Sequence, residues 1–152
     1  MQLLLAEPDP ALSGEIFAAC SDLIQITACR DFPSARAQLV RDPPRILVTN
    51  LRLADYNGLH LVFLGRAARP SMRCIVHTDR PDVYLLQEAQ AHGAFVERSD
   101  RLSRAIAAYV RGVLPFRDRR TVERFDRRTV SRGGRRSADH WAALASENSP
   151  GM

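Results

Sequence analysis

Short apolar runs alternate along this chain with longer stretches in which apolar residues return every three or four positions. Gln2–Ala6 is the first run, and it stops at Glu7-Pro8-Asp9-Pro10, where two prolines forbid strand pairing and acids cluster. Ala11–Leu23 carries Leu12, Ile16, Phe17, Cys20 and Leu23 at helical spacing. Ile24–Cys29 alternates and is rich in β-branched residues, which predicts a second strand. Phe32-Pro33-Ser34 opens a helix through Val40, and Asp42-Pro43-Pro44 ends it. Arg45–Asn50 predicts a third strand, Gly58–Ala68 an amphipathic helix closed by Pro70, and Met72–Thr78 a nearly continuous apolar fourth strand. Arg80-Pro81-Asp82 begins a helix running to His92-Gly93, and Ala94–Val96 is a short fifth strand. Ser99-Asp100 offers a cap to a last helix with the stripe Leu102, Ile106, Ala107, Val110 and Val113, which sets Tyr109, Arg104 and Arg111 outward.

Five strands alternating with five helices predict a three-layer, doubly wound α/β domain with a parallel sheet. Right-handed crossovers bring the strand C-termini to one edge, where such folds build their sites. Glu7, Asp9, Asn50, Thr78, Glu97 and Arg98 all fall at predicted strand ends, and their convergence on one rim is the main functional signal. The stretch Ile46–Gly58 organises that rim, because a buried strand there delivers Asn50 and then enters a turn-rich loop closed by a glycine.

After Leu114 the pattern breaks. Residues 115–136 hold nine arginines, among them Arg119, Arg120, Arg127, Arg128, Arg135 and Arg136, and a repeat: Asp118-Arg-Arg-Thr-Val122 returns as Asp126-Arg-Arg-Thr-Val130. The expected organisation is thus a domain over 1–114 and a flexible arginine-rich tail over 115–152. Such a tail can contact a polyanion by counterion release, although Asp118, Glu123 and Asp126 interrupt it; a solvated linker or a docking helix is the competing reading.

Composition narrows the chemistry. All 22 basic residues are arginine, so no lysine can serve as a Schiff base or phosphate sensor. The three cysteines, Cys20, Cys29 and Cys74, are dispersed in apolar segments and are expected to be reduced in a cytoplasmic protein. No apolar stretch approaches the ~20 residues of a membrane span. Lone histidines such as His60 and His77 read as structural or exposed rather than as ligands. No nucleophile–base pair, Gly-rich phosphate loop or metal cluster supports an enzyme, and no helix-turn-helix follows residue 114.

Four segments in this order resemble a two-component response-regulator receiver domain: Leu3–Pro10 with its acidic cluster, Asn50–Gly58, Ile75–Thr78 with a switch hydroxyl, and Ala94–Ser99 with an aromatic switch position at Phe95. The resemblance covers residues 1–114 and implies a flavodoxin/CheY-like (βα)5 fold of strand order 2-1-3-4-5. It also marks a degenerate pocket. Asn50 stands where the family carries its phosphoacceptor aspartate, Pro8 replaces the second metal-binding acid, Arg98 matches the position of the phosphoryl-contacting lysine, and Glu7 and Thr78 retain the family's chemistry. An amide gives no reasonable route to an acyl phosphate, and a proline offers Mg²⁺ no ligand, although Asp9 could partly substitute. No catalytic residue and no cofactor are therefore expected, with Mg²⁺ binding lost. Asn50 is free to bond Thr78 or Glu7, and Arg98 to pair with Glu7 or Asp9, locking the rim. The implied function is a pseudo-receiver: a phosphorylation-independent interaction module binding a kinase, another regulator or itself. The family's surface formed by the fourth helix, fifth strand and fifth helix would supply a homodimer or partner face through Tyr84, Gln87, Phe95, Arg101 and Arg104. The alternative is a dimerisation platform whose tail binds nucleic acid.

Overall fold

Leu3-Leu4-Leu5-Ala6 and Ile46-Leu47-Val48 are apolar at every position, the mark of strands covered on both faces. In the computed structural model, which describes residues 1–112, 118–120 and 122, they form two adjacent interior strands of a wholly parallel sheet. The sheet comprises β1 (Gln2–Ala6), β2 (Gln25–Cys29), β3 (Ile46–Asn50), β6 (Arg73–Thr78) and β7 (Ala94–Arg98), in the order β2-β1-β3-β6-β7. Counting main-sheet strands alone, this is the 2-1-3-4-5 order the resemblance implied. Five helices connect them: α1 (Pro10–Cys20), α2 (Phe32–Arg41), α3 (Leu59–Ala68), α4 (Val83–Ala91) and α5 (Ser99–Arg111). Residues Met1–Arg120 form one compact unit.

Side chains that open the helices explain where three of them start. Asp9, Asp31 and Asp82 each accept a backbone N–H of the first turn, from Ala11, Ser34 and Leu85. Asp9 is therefore committed to α1. The last helix departs from its sequence reading: β7 continues to Arg98, α5 begins at Ser99, and no side chain caps it. The 51–57 loop also contains a small antiparallel pair, β4 (Arg52–Leu53) and β5 (Tyr56–Asn57), joined through Ala54 at φ 54°. Two-residue strands carry no readable alternation, which is why the pattern gave only a turn-rich loop. Gly58 closes it because a Cβ there would stand 2.1 Å from the Asn50 carbonyl oxygen.

The core between the sheet and α1/α5 is built from Leu3, Leu5, Ile16, Ile46, Val48, Ile75, Phe95, Leu102, Ile106, Tyr109 and Val110, among others. Tyr109, expected outward, is buried: it follows Leu102 by seven and Ile106 by three, so it lies on the apolar stripe. Arg73, at the start of β6, donates through Nη1 to the Gly112 carbonyl (2.9 Å) and, at longer range, to that of Tyr109, fastening the C-terminus of α5 to the sheet. All three cysteines are free thiols, and burial pushes Cys74 up to about 12. Among the described residues no helix is long and apolar enough to cross a membrane.

Candidate functional site

Residues in register in a parallel sheet share a face. Leu5, Val48, Ile75 and Phe95 form one such line against α1 and α5. Two residues further along each strand the line turns polar. Asn50 stands opposite His77, His77 opposite Glu97, and Glu7 lies one step past the Ala6–Thr49 pair. A row of four polar side chains thus caps the apolar layer where the strands end.

Glu7, at the β1 end of the row, gathers most of its contacts. Only 2% exposed, it accepts the Asp9 N–H at 2.8 Å through Oε1 and the Asn50 amide Nδ2 at 3.1 Å through Oε2. His77, fully buried, brings Nε2 to 3.0 Å from the same Oε2. This is a close contact without hydrogen-bond geometry. Its other nitrogen, Nδ1, meets Ser99 Oγ at 3.0 Å. Asn50 is used at both ends: while Nδ2 serves Glu7, Oδ1 accepts the Arg52 N–H at 2.9 Å. The result is a continuous chain, Asn50–Glu7–His77–Ser99, reaching from the third strand to the first turn of α5.

The remaining rim residues lie apart from this chain. Pro8 is exposed and Asp9 caps α1. Thr78 Oγ1 both donates to the Arg80 carbonyl (3.0 Å) and accepts the Arg80 N–H (3.1 Å), so its hydroxyl is satisfied locally. Arg98 does not pair with Glu7 or Asp9. Its guanidinium grips Asp100 through two hydrogen bonds, of 2.9 and 3.1 Å, at the surface. That hydrogen bond and the neighbouring charge raise Arg98 and lower Asp100. The sequence reading missed His77. The signal lay in the apolar runs, because aligning Leu5, Val48 and Ile75 puts Glu7, Asn50 and His77 in one row.

A second polar cluster sits on the edge strand. Tyr109 Oη donates to Glu97 Oε2 at 3.1 Å, and Arg120 Nη1 donates to the same oxygen at 2.9 Å. Arg120 Nη2 reaches Tyr109 Oη at 2.9 Å and also donates to the Val96 carbonyl oxygen. Asp118 Oδ2 accepts the Val96 N–H at 3.1 Å, while Gln90 Nε2 donates to the Arg120 carbonyl at 2.9 Å. Residues 118–120 thereby satisfy both backbone groups of Val96, which an edge strand otherwise leaves open. Burial alone would raise Asp118; the hydrogen bonds from Arg120 and from the Val96 N–H outweigh it and lower it. For Arg120 burial works downward, but the bonds to Asp118 and Glu97 win and raise it. Burial, opposed by the Arg120 charge and aided by Glu97, pushes Tyr109 up to about 12.

Of the residues expected on a partner face, Tyr84, Gln87, Arg101 and Arg104 are exposed, with Tyr84 at 72%. Phe95 is not: 7% exposed, it packs edge-on to Tyr109 inside the core, with ring centroids 5.7 Å apart. Of the tail arginines, Arg119 is exposed and Arg120 is held as above; Arg127, Arg128, Arg135 and Arg136 lie outside the described residues.

No protein-family model and no curated protein matches the chain. Solved structures do match. The signal receiver domain of a repressor protein from Vibrio parahaemolyticus superposes with a TM-score of 0.61 at 20% identity, over 72% of this chain and 88% of that one. An orphan response regulator of H. pylori gives 0.59 at 19% identity, over 73% and 97%. A response regulator from Burkholderia pseudomallei, solved with a phosphorylated aspartic acid, a calcium ion and citrate, gives 0.64 at 11% identity, over 87% and 74%. The shared property is architecture: the chain has the CheY-like receiver fold.

Proposed function

We propose that this chain is a pseudo-receiver: a receiver-fold interaction module of a two-component-type pathway that works without phosphoryl transfer. The observation that carries this reading is the double engagement of Asn50, whose amide donates to Glu7 and accepts from Arg52 N–H where the family needs a free carboxylate nucleophile. A carboxylate cannot donate, so the Asn50–Glu7 bond is specific to the amide.

The donor set also fits Mg²⁺ poorly. A hard dication asks for several anionic oxygens in octahedral array. Here Pro8 offers none, Asp9 caps α1, Asn50 is neutral, and the buried carboxylate beside them, Glu7, already accepts two N–H donors and has the His77 imidazole against it. We therefore propose that the rim binds neither Mg²⁺ nor a phosphoryl group and stays in a single state. Partner recognition is assigned to the exposed flank of α4 and α5, with Tyr84, Gln87, Arg101 and Arg104, for a kinase, another regulator or a second copy of this chain. The polyanion reading of the tail is weakened by Arg120, whose charge is spent on Glu97 and Asp118.

Intact mass after incubation with acetyl phosphate and Mg²⁺ tests this. An unchanged mass is the expected result; gain of one phosphoryl group overturns it. A Mg²⁺ titration followed by NMR of the Asn50 and Glu7 amides should show no shift up to millimolar metal.

A further inference from the structure

Four arginines meet around one cavity of about 320 Å³ at the end of the sheet opposite the rim. Arg45 precedes β3 and Arg73 opens β6, and the backbone joins them, the Arg73 N–H donating to the Arg45 carbonyl at 2.9 Å. Arg69 follows the last turn of α3, and Arg111 ends α5. Among the described residues no carboxylate lines this cavity, and no ion pair includes any of the four. A cleft lined by charges of one sign focuses its field on the enclosed space and concentrates counterions there. Helix C-termini carry partial negative charge, which accounts for Arg69 and Arg111. Arg45 and Arg73 stand at strand starts, where no such charge calls for them.

Two of the guanidiniums are held in place by one nitrogen each. Arg69 Nη1 donates to the Pro43 carbonyl at 3.2 Å, and Arg73 Nη1 donates to the Gly112 carbonyl at 2.9 Å. Both residues are half-buried, and no described bond uses the Nε or Nη2 of either. A guanidinium is a planar fork of five N–H donors, so anchoring at Nη1 leaves the Nε–Nη2 edge, which phosphate oxygens accept in pairs. A terminal phosphate carries about two negative charges near neutral pH, so linked phosphates balance four guanidiniums where a carboxylate balances one. We infer that this cavity is a binding site for a small oligophosphate, a diphosphate or larger, inorganic or borne by a nucleotide. The site is independent of the rim, which lies at the other ends of the same strands.

A pyrophosphate titration of the full chain, followed by amide NMR, tests this, because Ile46, Arg73 and Gly112 line the cavity. Their amide shifts should saturate together. Arg45 and Arg111 make no described side-chain hydrogen bond or ion pair, so Arg45→Gln with Arg111→Gln leaves the described contacts of the fold in place. That double variant should raise the pyrophosphate dissociation constant at least about tenfold. Arg30→Gln with Arg36→Gln removes the same charge outside the cavity and should change it by less than about threefold. Repeating the titration with ADP separates the two sources: tighter binding than pyrophosphate assigns the site to a nucleotide, weaker binding to the inorganic ion. Absence of saturable shifts at these amides, shifts confined to residues beyond Gly112, or equal losses in the two double variants overturns the inference.

Discussion

The rim chain and the edge cluster are both polar clusters built on the same face of the same sheet, on neighbouring strands, yet they are constructed oppositely. The rim joins an amide, a carboxylate, an imidazole and a hydroxyl, all supplied by the α/β unit's own strands and helices, with Glu7 and His77 closed off from water. The edge cluster joins full charges, and its Arg120 side chain, 43% exposed, arrives from beyond the last helix. Buried groups without alternative partners cannot exchange them cheaply. In the edge cluster the Arg120 guanidinium alone keeps water as an alternative partner; the Glu97 and Asp118 side chains, 9% and 3% exposed, do not. The first cluster is closed to water throughout; the second is open to it on its arginine side.

The strongest way to break this contrast is at Glu7. Glu7→Ala strips the acceptor from the Asn50 amide and the Asp9 N–H and removes the carboxylate packed against the His77 ring, and should cost about 3–5 kcal/mol in a urea titration. A loss under about 1 kcal/mol would mean the rim is no more fixed than the edge cluster. Asn50→Asp comes next. It sets a second carboxylate against Glu7, so at pH 7 it should lose roughly 1–3 kcal/mol, and the deficit should shrink as the pH falls towards 4 and the added charge is neutralised. A deficit independent of pH would rule out carboxylate repulsion as its cause.

At the edge cluster, Arg120→Ala should cost roughly 1–3 kcal/mol, because it leaves the nearly buried Glu97 and Asp118 carboxylates without their cation. Its pH response has two sides. Asp118 is lowered from an ordinary 3.8, so its contribution is complete above that value and is lost as the pH falls through the lowered one. Tyr109 is raised from 10 to about 12, so its contribution is complete below pH 10 and is lost as the pH rises to about 12. Val96 exchange, corrected for its intrinsic pH dependence, should therefore be flat from pH 4 to 10 and accelerate outside that window. The smallest effect is at Arg98. Its pair with Asp100 lies at the surface, and Arg98→Ala should shift the melting temperature by no more than about 2 °C. A larger drop would return Arg98 to the rim.

The strands were legible because unbroken apolar runs such as Leu3–Ala6 and Ile46–Val48 admit few other placements, while their order followed from the receiver-domain resemblance. Asn50 was legible for the same reason, as the first polar residue after such a run. His77 and Arg98 were not, because what a rim side chain touches depends on register across strands distant in sequence. His77 meets a carboxylate seventy residues upstream, whereas Arg98 finds Asp100 two residues away and has no need of the rim. Tyr109 shows a different failure: the stripe was drawn without it, but its spacing from Leu102 and Ile106 places it inside, where Glu97 supplies the partner a buried phenol requires. The part played by residues 118–120 could not be read at all, since a charged segment gives no periodicity to follow.

The Arg73 clamp gives the molecule a mechanical hierarchy. Any tension applied to the arginine-rich segment reaches the sheet through two fastenings in series. The outer one is Asp118 and Arg120 on β7. The inner one, Arg73 on the Gly112 carbonyl, lies behind it at the opposite end of the sheet. Force from that side thus meets the β7 contacts before it meets the seat of the last helix.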